Sequence, residues 1–125
     1  MLKNEKGFTL IEIIAVLVVL GILAAVAVPR YLSLLDQSRI AAAQGAIAEF
    51  KSRASGVYAN LLLSGAGADP GEAAVQASIN TDVGSDFAGI SISASGSNIV
   101  FTITTVKGFS LSTNATGTWY YPIQS

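Results

Sequence analysis

The chain has neither cysteine nor histidine. The first absence excludes disulfides, thiolate metal sites and a thiol nucleophile. The second removes the commonest general base and the commonest imidazole ligand, so catalysis starts from a poor set of groups. Charge is scarce as well: 12% of the residues are Asp, Glu, Lys or Arg, and the net charge is −1. No basic cluster with interleaved aromatics occurs, which argues against nucleic acid as a partner. Apolar residues are plentiful, at 51% of 125 residues. Much of the excess lies before Pro29, a distribution that an ordinary soluble core does not produce.

The N-terminus opens with a short polar stretch, MLKNEKG, and then turns apolar. Phe8 to Val28 is 21 residues with a single charge, Glu12. As a helix at about 1.5 Å per residue it spans roughly 30 Å, the thickness of a bilayer's hydrocarbon core. Lys3 and Lys6 favour leaving the N-terminal end in the cytoplasm and everything after Arg30 outside. A plain anchor has no use for Glu12, since an ionised side chain in a span costs several kcal/mol and calls for a partner. A cleaved signal peptide is the remote alternative. It would have a basic start, an apolar run and the triplet Ala25-Val26-Ala27, and would release a soluble exported domain near Val28. Against it stand Glu12, the length of the run and its continuation into a patterned helix.

Beyond Pro29 the spacing predicts further helix to about residue 63. Ile40, Ala43, Ile47, Phe50, Ala54, Val57 and Leu61 recur at intervals of three and four and form one apolar stripe. Asp36 precedes Arg39 by three residues and Glu49 precedes Arg53 by four, both in the favourable acid-first order. Residues 64–86 read as a connecting stretch. Within it Asp69 as N-cap, Pro70 at the first position and Glu72 closing a capping box predict a short helix to about Ile79. From Phe87 the period becomes two. Ile90, Ile92 and Ala94, then Ile99, Phe101 and Ile103, then Phe109 and Leu111 alternate with Ser, Thr or Val. Trp119-Tyr120-Tyr121 reads as a last strand, with Gly96, Gly108 and Gly117 in the breaks. An antiparallel meander over 87–123 is expected, its apolar face covered by the helix stripe. The fold class is therefore α+β, a long N-terminal helix on a small antiparallel sheet, with a head of about 95 residues able to hold one modest core.

Gly7-Phe8-Thr9-Leu10-Ile11-Glu12, after a basic leader and before some twenty apolar residues, resembles the processing motif of type IV prepilins and of the pseudopilins of type II secretion. The likeness is close from Lys6 to about Tyr58 and only architectural beyond. It implies a leader of residues 1–7, a transmembrane and assembly segment of 8–29 and an exported head of 30–125. It also implies that a prepilin peptidase/N-methyltransferase cuts after Gly7 and methylates the new amino group of Phe8. Glu12 then acquires a partner, the Phe8 ammonium of a neighbouring copy. The resemblance further implies that the stretch from Gly21 to Pro29 loses helical order on assembly. The expected partners are other copies of the chain in a helical homopolymer, the processing enzyme, an inner-membrane assembly platform and inner-membrane lipid before assembly. The expected location is the inner membrane as precursor, then an extracellular filament used for adhesion or motility.

Pro29-Arg30-Tyr31-Leu32, Asp36 and the Ala/Gln-rich stretch from Ile40 to Ala48 resemble major pilins of the mannose-sensitive haemagglutinin type. Without cysteine the C-terminal region must be held by packing, with Trp119, Tyr120 and Tyr121 available for it. The alternative is a major pseudopilin, a family branch whose subunits usually bind calcium. Asn80, Asp82 and Asp86 around Gly84 offer oxygen ligands, but two carboxylates without a bidentate Glu fit a solvated acidic turn better than a metal site. Asp69, Glu72, Asp82 and Asp86 do not make a convincing acid–base pair, and Asn114-Ala115-Thr116 is a glycosylation sequon of low information. No catalytic residue and no cofactor is assigned, and the reading is of a structural subunit, not an enzyme.

Overall fold

A computed structural model describes residues 7–122. Residues 1–6 of the expected leader, with Lys3 and Lys6, and Ile123 at the expected end of the last strand lie outside them. The chain divides into two units, Met1–Leu35 and Asp36–Ser125.

Helix α1 runs Leu10–Ser64 and contributes to both units. In the first unit every residue from Gly7 to Leu34 is exposed. From Ile13 to Val28 the sequence there is uniformly apolar, so that stretch has no polar face to turn to water. Pro29 lies inside the helix. The helix closes in a Schellman arrangement: Gly67 N–H donates to Leu62 O at 2.8 Å and Ala66 N–H to Leu63 O at 3.4 Å, with Ala66 left-handed at φ 55°.

In the second unit α1 buries Ala43, Ala46, Ile47, Phe50, Ala54 and Tyr58. Ile40, Val57 and Leu61 pack at the margin, so the predicted stripe is the packing face. Its sheet partner is one antiparallel layer. Strand β1 (Phe87–Ala88) and β2 (Ser91–Ser95) pair with the same edge of β3 (Asn98–Val106), and β4 (Phe109–Tyr120) pairs with the other. One register serves β1 and β2, from Phe87↔Val106 to Ser95↔Asn98. They are thus a single outer strand interrupted at Gly89-Ile90, and the meander expected from the period-two pattern is present. Gly96-Ser97 joins β2 to β3. Lys107-Gly108 joins β3 to β4 with φ 52° and 78°, the geometry of a type I′ turn. Ile99, Phe101 and Ile103 point at the helix, and the Phe50 and Phe101 rings stack at 5.5 Å.

Three local expectations are corrected. Gly117 does not break a strand; it lies inside β4 opposite Phe101. A Cβ there would run into Ile47 Cγ2, with Lys51 Cε at 2.9 Å, so glycine is required by the approach of the helix and not by a turn. Gly117→Ala is therefore expected to destabilise the head by about 1–3 kcal/mol, as overpacking does. A denaturant midpoint unchanged in Gly117→Ala would remove that explanation.

The second correction concerns the short helix, α2, Glu72–Ser78. Its N-cap is Gly71, with no side-chain cap. Asp69 is engaged elsewhere, accepting Gly71 N–H at 3.1 Å and the Tyr121 hydroxyl. The helix nevertheless matters, because Val75 and Ile79 are core residues. Third, Asp36 and Arg39 do not pair with each other. Asp36 accepts Ser112 N–H and its hydroxyl, while the Arg39 guanidinium lies 4.1 Å over the Phe109 ring. Glu49 and Arg53 do form the expected pair, at 2.9 Å.

Candidate functional site

Gly7, Phe8 and Thr9 are non-helical, and α1 starts at Leu10. The reason is local. Thr9 N–H donates to Glu12 Oε2 at 2.9 Å, and Glu12 N–H donates to Thr9 Oγ1 at 3.3 Å. This is a capping box, two orphan amides satisfied reciprocally. Its signature, Thr-x-x-Glu, stands in the sequence at 9–12, but the apolar surroundings of Glu12 make its charge the more conspicuous feature. Thr9 is accordingly a functional residue that sequence reasoning missed.

The consequence for chemistry is direct. The Gly7–Phe8 bond lies outside the helix, in exposed chain: Phe8 is 86% exposed. A protease needs extended, accessible backbone, and a bond within hydrogen-bonded helix would first have to be unwound. Cleavage there would leave Phe8 and Thr9 ahead of the helix and the cap intact. It would also place a new ammonium at the positive end of the helix macrodipole, where an anion is needed. Glu12 is the only charged residue from Phe8 to Val28. It already holds the Thr9 amide, and a carboxylate has acceptor capacity left for a second donor.

Gly21 and Pro29 both lie in unbroken α1. A Cβ at Gly21 would meet nothing within 4 Å, so no contact within the chain requires glycine there. In a helix interior Ala would be about 1 kcal/mol more favourable.

Asn80, Asp82 and Asp86 are brought into one loop, where several of the oxygens already accept hydrogen bonds from the chain itself. Asn80 Oδ1 accepts Asp82 N–H at 2.8 Å and Asp82 Oδ1 accepts Gly84 N–H at 3.0 Å. The backbone carbonyls of Asn80 and Asp82 accept from Arg53 Nη1 at 2.9 and 2.7 Å, and that of Asp86 from Lys107 N–H at 2.6 Å. A guanidinium thus occupies the position facing these carbonyls. Among the described residues no cluster of three or more Asp or Glu is arranged to hold a metal ion.

The C-terminal segment is fastened by aromatics. Tyr58, Trp119 and Tyr121 form a closed trio, with centroids 5.3–6.1 Å apart. Trp119 Nε1 donates to Ser55 Oγ at 2.9 Å, and the Tyr121 hydroxyl bonds to Asp69 and accepts Gly71 N–H. Burial first, and then the Asp69 carboxylate, push the Tyr121 phenol up to about 12. Tyr120 takes no part, being 73% exposed.

With this geometry in view, comparison with known proteins gives a consistent class. The family described as the prokaryotic N-terminal methylation motif matches residues 2–28. Along part of its length the chain is similar to type IV pilins and fimbrial proteins. The fimbrial protein EcpC of Eikenella corrodens is 36% identical over 112 residues, 83% of this chain and 65% of that protein. The type IV narrow pilus major component PilA5 of Thermus thermophilus is 47% identical over 49 residues, 39% of this chain and 42% of its own. Type II secretion system core protein G of Pseudomonas aeruginosa is 51% identical over 45 residues, 36% of this chain and 32% of that protein. The chain thus spans between about a third and two thirds of the length of these relatives. No solved structure matches it.

Proposed function

We propose that the chain is a prepilin-like structural subunit, cut after Gly7, N-methylated at Phe8 and polymerised through the first half of α1 into a type IV pilus for adhesion or motility. The observation that carries this reading is the arrangement at residues 7–12: an exposed non-helical Gly7–Phe8 junction, a capping box that fixes where the helix begins, and one acid at the head of an otherwise charge-free apolar surface. The precursor spans the inner membrane with its leader in the cytoplasm. On assembly, lipid contacts of Phe8 to Val28 are exchanged for contacts with other copies, and Glu12 meets the Phe8 ammonium of a neighbour. Gly21 to Pro29 is the stretch that gives up helical order; in support, among the described residues no close approach demands glycine at position 21, where a Cβ would meet nothing within 4 Å. The partners are the processing enzyme, the assembly platform and other copies. The molecule is a building block and not an enzyme.

A second reading, a major pseudopilin, is raised by the 51% identity to the secretion core protein over 45 residues. The apolar N-terminal segment is the part that pilins and pseudopilins share, so a likeness of that length does not prefer one branch. EcpC, PilA5 and core protein G support the broader class and do not single out the mannose-sensitive haemagglutinin type.

The test is the intact mass and N-terminal sequence of the mature protein from a surface-sheared fraction of the native host. The expected chain begins at Phe8 with one added methyl. A chain beginning near Val28 would mean that Glu12 is discarded with a signal peptide, and the assembly reading would fall.

A further inference from the structure

The head unit carries a projection and a recess of opposite character. The projection is the Lys107-Gly108 turn with Phe109 after it. Its position is fixed from two sides. Asp36 holds Ser112 through the backbone amide and the hydroxyl, and Lys107 N–H donates to Asp86 O. Phe109 is nevertheless 56% exposed, with the Arg39 guanidinium over its ring. A rigidly held aromatic with a cation on its face is a typical anchor of a protein interface.

The recess is a groove of about 430 Å³ between the outer side of α1 and the loop before β1. Gly45, Glu49 and Arg53 line one wall, and Asp82, Val83 and Phe87 the other. Its floor is apolar, and its rim carries two carboxylates, Asp82 and Glu49, the latter paired with Arg53. The one ion pair among the described residues is Glu49–Arg53. Lys107 and Arg39 therefore meet no carboxylate within the described chain, and the Asp82 carboxylate meets no cationic side chain.

We propose that the projection of one copy seats in the groove of another, with Phe109 on Val83 and Phe87, and with Arg39 and Lys107 facing Glu49 and Asp82. Charge complementarity selects a second copy as the occupant: a tip with two cations that meet no carboxylate and an apolar recess with the uncompensated Asp82 carboxylate at its rim are carried by the same head. Because the two surfaces differ, the contact is heterologous and repeats into an open array instead of closing as a dimer. The inference rests on the filament reading and adds to it a head-to-head contact separate from the apolar segment.

The absence of cysteine gives a clean background for the test. Two differently tagged full-length copies, one Gly45→Cys and one Ser110→Cys, are expressed together in the native host. Sheared filaments are then treated with a short bis-maleimide. Gly45 has open space for a side chain and Ser110 is exposed, so both variants should fold. A dimer carrying both tags is expected, and it should be lost when the Ser110→Cys copy also carries Phe109→Ser. Ser93→Cys, exposed on the β2 strand, replaces Gly45→Cys as the control and should give no mixed dimer. Filaments that form but yield no mixed dimer, or yield it equally with Ser93→Cys or with Phe109→Ser, overturn the contact. Absence of any filament from the unmodified chain would instead overturn the filament reading beneath it.

Discussion

Glu12→Gln is expected to leave cleavage and membrane insertion intact and to abolish filaments. Glutamine keeps the side-chain oxygen that accepts Thr9 N–H, so the capping box and the start of α1 survive. What is lost is the charge. In the proposed filament the Phe8 ammonium lies at the positive end of a helix, within an apolar bundle, and Glu12 of a neighbour is its counterion. Leaving such a charge uncompensated costs about 3–5 kcal/mol at each contact, and each added subunit meets the cost again. Thr9→Val is the matched control. It removes the hydroxyl that accepts Glu12 N–H, costs about 0.5–2 kcal/mol of helix stability, and should still permit assembly. The mass of the mature chain reports processing, and electron microscopy of sheared fractions reports filaments. Normal filaments from Glu12→Gln would end the counterion role and leave Glu12 as a helix cap alone.

The same residue illustrates how far the sequence can be read. An acid within an apolar span is conspicuous because the bilayer makes it costly, and that cost points outward to another chain. The inward role, capping its own helix with Thr9, depends on a four-residue pattern that is just as legible but less conspicuous. Elsewhere, periodicity locates the second half of the long helix, its packing stripe and the meander, since the two faces of those elements differ in burial, while the first half is legible from the length of its apolar run. It fails where tertiary contact decides. Gly117 has the sequence appearance of a turn, but the nearness of Ile47 is what demands it. Asp36 and Arg39 sit at ideal helical spacing, yet each is drawn to β4, at Ser112 and Phe109, which no local rule could anticipate. Helical spacing pairs Arg53 with Glu49; that Arg53 also organises the loop of Asn80 and Asp82 depends on residues 27 and 29 positions away.

Trp119→Ala is expected to cost the head about 3–5 kcal/mol, the range for deleting a buried large aromatic, against a total stability of roughly 5–15 kcal/mol for a domain. The size of the effect follows from what Trp119 replaces. With no disulfide available, the end of β4 is fastened to α1 by the Tyr58–Trp119–Tyr121 trio and the Trp119–Ser55 bond, and to the loop following α1 by the attachments of Tyr121 to Asp69 and Gly71. Removing the central ring breaks two aromatic contacts and frees the segment that Tyr121 anchors. Tyr120→Ala, one residue away but exposed, should stay within about 0.5 kcal/mol of the parent. Denaturant titration of the full chain in detergent, with amide exchange along β4, measures both; equal midpoints for the two variants would refute the trio as the C-terminal fastening. An independent check comes from alkali. The Tyr121 phenol titrates at about 12 in the fold against 10.0 ordinarily, so the fold favours its protonated form. Its contribution is complete below pH 10 and is lost as the pH rises toward 12, because there the unfolded chain releases the proton first. Fraying of β4 in that window, absent in Tyr121→Phe, would show that a phenol and a carboxylate do in this head what a covalent bond would otherwise have to do.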